Sequence, residues 1–125
     1  MILGLGIDIV EVSRLEKWLK DNKLLQRFFS EEEIEYVLSK ENGAARSLAV
    51  RFAAKEAFGK ALGTGLAGIK LKDIVVVNDR TGRPFLKVSG TALEALKKKG
   101  GAALHLSLSH EKTTAAAVVI IEGSS

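Results

Sequence analysis

The segment Ala44–Leu62, AARSLAVRFAAKEAFGKAL, constrains the fold of this chain more than any other. It reads as the longest helix, stopped by Gly63-Thr64-Gly65. At helical spacing Leu48, Val50, Phe52, Phe58 and Leu62 point in several directions. A helix that is apolar nearly all round belongs at the centre of a fold, covered on every side. Its charged residues then need an explanation, because ionised groups are seldom buried without partners.

The flanking sequence supplies what could cover such a helix. Ile2–Val10 is apolar and β-branched, interrupted by Gly4 and Gly6, and reads as a buried strand. Ser13-Arg14-Leu15-Glu16 has the form of a capping box, predicting a helix from there to about Asn22. On that helix Val12, Leu15, Trp18 and Leu19 gather on one side and Arg14, Lys17 and Lys20 on another. Ser30-Glu31-Glu32-Glu33 is a second capping box, opening a helix that should end near Asn42-Gly43. The second half is strand-rich. Ile74–Val77 and Phe85–Val88 flank a turn at Asn78–Pro84, Thr91–Lys99 is a short helix, and Leu104, Leu106 and Leu108 alternate with polar residues. Ala115–Ile121 is a final apolar strand, and Gly123-Ser124-Ser125 reads as a frayed end. The pattern is α+β: one domain over residues 1–125, with a long buried central helix packed on an antiparallel sheet.

Composition excludes several classes. With no cysteine among 125 residues there is no disulfide scaffold, no thiolate metal site and no cysteine nucleophile. The net charge of +4 is mildly basic and suits an acidic partner. Aromatic residues make up only 6%, and no aromatic-basic patch points to nucleic acid. No stretch approaches the roughly 20 apolar residues of a membrane span. The N-terminus lacks the form of a signal peptide, so a cytoplasmic protein is expected.

Three places could carry chemistry. Asp8 lies inside an apolar strand just after Gly4 and Gly6, where a carboxylate needs a cation, donors or solvent. Glu56 and Lys60, four residues apart on the central helix, share a face. On an ordinary surface helix that pair would be a salt bridge contributing about 0.2–0.5 kcal/mol. On a buried helix a carboxylate and an ammonium can instead hold a hard cation and a phosphate. Mg²⁺ takes one or two carboxylates and completes its shell with water and phosphate oxygens, and Asp8 with Glu56 would supply that number. The third place is Ser107-Leu108-Ser109-His110, where His110 could donate to a phosphate, while Gly63-Thr64-Gly65 would let backbone approach a ligand closely. Read without further context, these residues also suit a non-catalytic nucleotide-binding module.

Taken together the segments resemble the bacterial holo-[acyl-carrier-protein] synthases, a family of 4′-phosphopantetheinyl transferases. The resemblance rests on Gly4-Leu5-Gly6-Ile7-Asp8 with Arg14, on the long run Arg51–Gly65, on Leu106–His110 and on the turn Gly82-Arg83-Pro84. It implies transfer of the phosphopantetheine arm of coenzyme A to a serine of apo acyl carrier protein, releasing adenosine 3′,5′-bisphosphate, in support of fatty acid biosynthesis. It further implies that Asp8 and Glu56 are Mg²⁺ ligands and that Lys60 neutralises phosphate. Glu56, or a water it orients on the metal, would take the serine proton. Arg51, Gly63, Thr64, Gly65 and His110 would lie near coenzyme A. The acidic carrier protein would meet Arg14, Lys17 and Lys20, and a homotrimer would place each site at a subunit boundary.

Overall fold

The computed structural model describes residues 1–124. The order of elements is β1 (Ile2–Glu11), α1 (Val12–Glu16), a 3-10 turn (Lys17–Lys20), α2 (Asn22–Phe28), α3 (Glu31–Leu38) and α4 (Ala44–Leu62). A second 3-10 turn (Leu71–Asp73), β2 (Ile74–Asn78), β3 (Pro84–Val88), α5 (Gly90–Lys99), β4 (Gly101–His110) and β5 (Thr114–Gly123) follow. The strands form a three-stranded antiparallel sheet in the order β1-β5-β4 and a separate hairpin of β2 and β3. No helix is long and apolar enough to cross a membrane among the described residues.

α4 is the central helix and packs on the inner face of the three-stranded sheet. Leu48, Ala53, Ala57 and Phe58 are completely buried, and β5, packed on the helix, buries Ala115, Ala117, Val119 and Ile121. Covering a side chain the size of Phe58 contributes about 2–3 kcal/mol of transfer free energy. On another side of α4, Trp18 meets Phe52 edge-on at 5.2 Å between ring centroids and stacks on Phe28 at 5.5 Å. This ties the first two helices to the N-terminal half of α4.

The structure corrects several expected boundaries. α1 begins at Val12, and Ser13 caps nothing: the Val12 N–H instead donates to the Thr113 carbonyl at 2.9 Å. The helix expected to continue to Asn22 stops, because the Asp21 carboxylate accepts from the backbone N–H groups of Lys23 and Leu24 and starts α2. The Ser30–Glu33 capping box forms in both directions. α3 ends at Leu38 rather than near Gly43, its last turn closed by the Ser39 hydroxyl donating to the Tyr36 carbonyl at 2.7 Å. Gly123 is no frayed residue; it closes β5, donating its N–H to the Met1 carbonyl at 2.8 Å, while Ser125 lies outside the described residues.

β1 was expected to be buried, and only one of its faces is. Gly6 and Val10 face α4, whereas Leu5, Ile7 and Ile9 are 64%, 56% and 66% exposed on the outer face. The register sets these three opposite Ile120, Val118 and Ala116 of β5, so the apolar surface continues across the sheet.

Candidate active site

The site begins with two glycines. A Cβ on Gly4 would lie 1.9 Å from the Ala61 carbonyl oxygen, and one on Gly6 would lie 2.0 Å from that of Ala57. Only glycine lets β1 rest directly on the backbone of α4. Side chains alternate along a strand, so Asp8 points to the same face as Gly4 and Gly6. It therefore reaches α4, where its Oδ1 accepts from Lys60 Nζ at 2.8 Å.

Lys60 thus pairs with Asp8 across the strand–helix contact, not with Glu56 on its own helix. This hydrogen bond and the Asp8 charge raise the Lys60 pKa further, so its ammonium stays charged. Glu56 stands one turn before Lys60, partly buried. Burial and, next, the Asp8 charge push its pKa up, against the pull of Lys60 and Arg14. Arg14 comes from α1 and lies over the Phe52 ring, 5.4 Å from its centroid. Asp8, Glu56, Lys60 and Arg14 therefore form one electrostatic group built by β1, α1 and α4. Lys17 and Lys20 are exposed on the 3-10 turn that follows α1.

Below Lys60 the helix ends at Gly63, with φ of 84° and its N–H donated to the Lys60 carbonyl. Gly65, with φ of 70°, folds back to the Gly59 carbonyl at 3.0 Å. Gly63 and Thr64 are exposed. Both left-handed glycines shape the loop, which starts at the carbonyl end of a helix.

Arg51 and His110 do not join this group. Arg51 and Glu56 are five positions apart, which on a helix sets them on different sides. Arg51 is nearly fully buried and donates to Ser47 Oγ at 2.9 Å and to Asn78 Oδ1 at 3.0 Å. Its guanidinium lies over the Tyr36 ring at 4.4 Å, and its Nε has no acceptor. Burial lowers the Arg51 pKa, opposed by the Glu33 charge. Beside it opens a cavity of about 350 Å³ whose walls include Tyr36, Lys40, Arg46, Asn78 and His110 and contain no carboxylate. Within one chain the carboxylates and the basic cavity are thus separate. Sequence reasoning missed Lys40, Arg46, Tyr36 and Asn78, which no local pattern in the chain marks as one group.

It also missed Glu33 and Lys55, both fully inaccessible. Lys55 Nζ donates to Glu33 Oε1 at 2.8 Å, to the Leu71 carbonyl at 2.9 Å and to the Ile74 carbonyl. Burial lowers the Lys55 pKa, with Glu33 opposing the shift. Glu33 Oε2 accepts from the Val76 N–H at 3.1 Å, so this pair joins α3, α4 and β2. The visible signal was the third-position Glu of the capping box. Its second use, as the partner of a buried lysine, depends on the fold.

Asp8 and Glu56 suit a divalent cation: two carboxylates, one of them destabilised as an anion by burial and by the other. No group of three or more His, Cys, Asp or Glu side chains suited to a metal exists among the described residues. The donor set therefore fits Mg²⁺, which draws its remaining ligands from water and phosphate, better than a closed zinc site.

Comparison with known proteins adds the family. Residues 4–119 match the model of the 4′-phosphopantetheinyl transferase superfamily. The holo-[acyl-carrier-protein] synthase of Treponema denticola is 83% identical over 123 residues, covering 98% of this chain and all of that protein. The crystal structure of a holo-(acyl-carrier-protein) synthase from Bacillus anthracis in complex with CoA (3′,5′-ADP) superposes with a TM-score of 0.82 at 40% identity, covering 99% of each chain. That of the Helicobacter pylori synthase in complex with coenzyme A gives 0.80 at 36% identity, covering 94% of this chain and 99% of the other. The chain belongs to the holo-[acyl-carrier-protein] synthase family of 4′-phosphopantetheinyl transferases.

Proposed function

We propose that this protein transfers the 4′-phosphopantetheine group of coenzyme A to a serine hydroxyl of apo acyl carrier protein. The observation that carries the reading is the convergence of Asp8, Glu56 and Lys60, brought together by the glycine-mediated contact of β1 with α4. In the reaction the serine oxygen forms a bond to the β-phosphorus, the bond from that phosphorus to the bridging oxygen breaks, and adenosine 3′,5′-bisphosphate leaves. Asp8 and Glu56 would hold Mg²⁺, which when bound offsets the negative charge of the phosphates. Lys60, kept cationic by Asp8, faces the same charge. Glu56, or a water that it orients, would take the serine proton.

Arg51, Lys40, Arg46 and His110 suit the nucleotide portion of coenzyme A, since their cavity holds cations and no carboxylate. Gly63, Thr64 and Gly65, just past Lys60 at the end of α4, would border the phosphates. A single chain does not join the two, whereas neighbouring subunits could. The apolar outer face of β1 and β5 supplies a surface for such contact, and this supports a homotrimer with sites at subunit boundaries. Arg14, Lys17 and Lys20, all exposed, would meet the acidic carrier protein and make its encounter salt-dependent. The enzyme would act in the cytoplasm, supplying holo-carrier protein for fatty acid biosynthesis.

The test is the intact mass of an apo acyl carrier protein after incubation with this protein, coenzyme A and Mg²⁺. A gain of about 340 Da, one phosphopantetheine arm, is expected and should disappear with EDTA or with Asp8→Ala. Coenzyme A binding without any mass gain across several carrier proteins would favour a non-catalytic binding module.

A further inference from the structure

The Gly63-Thr64-Gly65 loop poses an electrostatic problem. It lies at the C-terminal end of α4, where the aligned peptide dipoles carry about half a negative charge, the wrong sign for a phosphate. The side chains above it do not remedy this. Asp8 and Glu56 together carry the charge that Lys60 and Arg14 cancel, and Lys60 is already paired with Asp8 at 2.8 Å. Without a bound metal, a polyanion approaching the loop would meet no surplus of positive charge from that group.

The surplus comes from another element. α5 ends in Lys97-Lys98-Lys99 and is closed by Gly100 with φ of 85°. A Cβ on Gly101 would lie 2.3 Å from Leu96 Cδ1, and one on Gly100 would touch Leu3 at 3.8 Å. The approach of Gly100 to Leu3 sets the end of α5 beside the start of β1, and α5 also packs on α4. There Lys99 Nζ stands 3.7 Å from where a methyl group on Gly63 would be. Lys99 is exposed and forms no ion pair with any described carboxylate. Lys60 and Gly63 are less than one helical turn apart, about 5 Å along the axis. Lys99 therefore overhangs the helix end within a turn of Lys60.

We propose that Lys99 is a binding residue for the phosphates of coenzyme A, reaching over Gly63 from α5 to supply the cation that the end of α4 lacks. The proposal rests on the coenzyme A reading above. Lys97 and Lys98, in the same exposed turn, serve as controls for charge alone.

The experiment measures coenzyme A affinity by calorimetry, with and without Mg²⁺, and steady-state kinetics for Lys99→Met, Lys99→Glu, Lys97→Met and Lys98→Met. For Lys99→Met, Kd and KM for coenzyme A should rise about five-fold, the scale of one exposed charge contact, and more for Lys99→Glu. The carrier-protein KM should stay unchanged, kcat should stay within about two-fold, and both control variants should match the unaltered protein. Equal effects from all three lysines would reduce the contribution to diffuse charge and overturn the proposal. So would unchanged coenzyme A affinity in Lys99→Met, or a rise confined to the carrier-protein KM. If the unaltered protein itself fails to bind coenzyme A, the underlying functional reading falls too, and the two failures are thereby told apart.

Discussion

Glu56 shows at the scale of a residue how a carboxylate proposed for the reaction is set against the stability of its fold. Burial and the Asp8 charge both disfavour its ionised form, and its pKa rises above the ordinary carboxylate value. Two consequences have opposite practical signs. Transfer that depends on the Glu56 carboxylate should be mostly abolished in Glu56→Gln. Stability runs the other way. A raised folded-state pKa stabilises the fold fully below the unfolded pKa, and this contribution is lost as pH rises through the folded value. At neutral pH in metal-free buffer Glu56→Gln should therefore melt about 1–3 °C higher than the unaltered protein. Below the unfolded pKa the difference should vanish. A lower melting temperature for Glu56→Gln at neutral pH would mean that the carboxylate supports the fold.

β1 and α4 form the contact on which the site depends at the scale of the element. Gly4 and Gly6 bring strand and helix backbones together, and the alternation of the strand then delivers Asp8 to Lys60. Gly6→Ala would place a methyl group within 2.0 Å of the Ala57 carbonyl, a clash with backbone that no side-chain rotation relieves. The expected cost is about 3 kcal/mol, the upper end for overpacking. Asp8 should withdraw from Lys60, so activity should fall even at temperatures where the variant remains folded. Urea denaturation with parallel activity assays checks this. A stable Gly6→Ala with full turnover would show that close contact is dispensable.

For the whole molecule the question is how two separated clusters serve one reaction. The carboxylates and the basic cavity lie on different sides of α4, while β1 and β5 present a continuous apolar outer face. Ile7→Lys leaves every proposed ligand-binding side chain in place and charges the middle of that face. It should shift the proposed trimer toward monomer in sedimentation and remove transfer activity in proportion. Activity retained by a clean monomer would confine the site to one chain.

The sequence by itself determined a good deal. The apolar girth of Ala44–Leu62 identified the central helix with its boundaries, because burial on all sides leaves a pattern that no surface helix shares. The Ser30–Glu33 box and the final strands were legible for similarly local reasons. Asp8, Glu56 and Lys60 were each conspicuous, as charges set in apolar surroundings. What local pattern could not supply was which charge answers which. Helical spacing offered Lys60 to Glu56, whereas strand–helix packing gave it to Asp8. Lys55 found Glu33, 22 residues away, and Arg51 found Asn78, 27 residues away. Hydrophobic burial is written in the period of the chain, because neighbours in sequence share a face. Ion pairs form between groups that only the packed tertiary structure brings within a few ångströms, and there the site was decided.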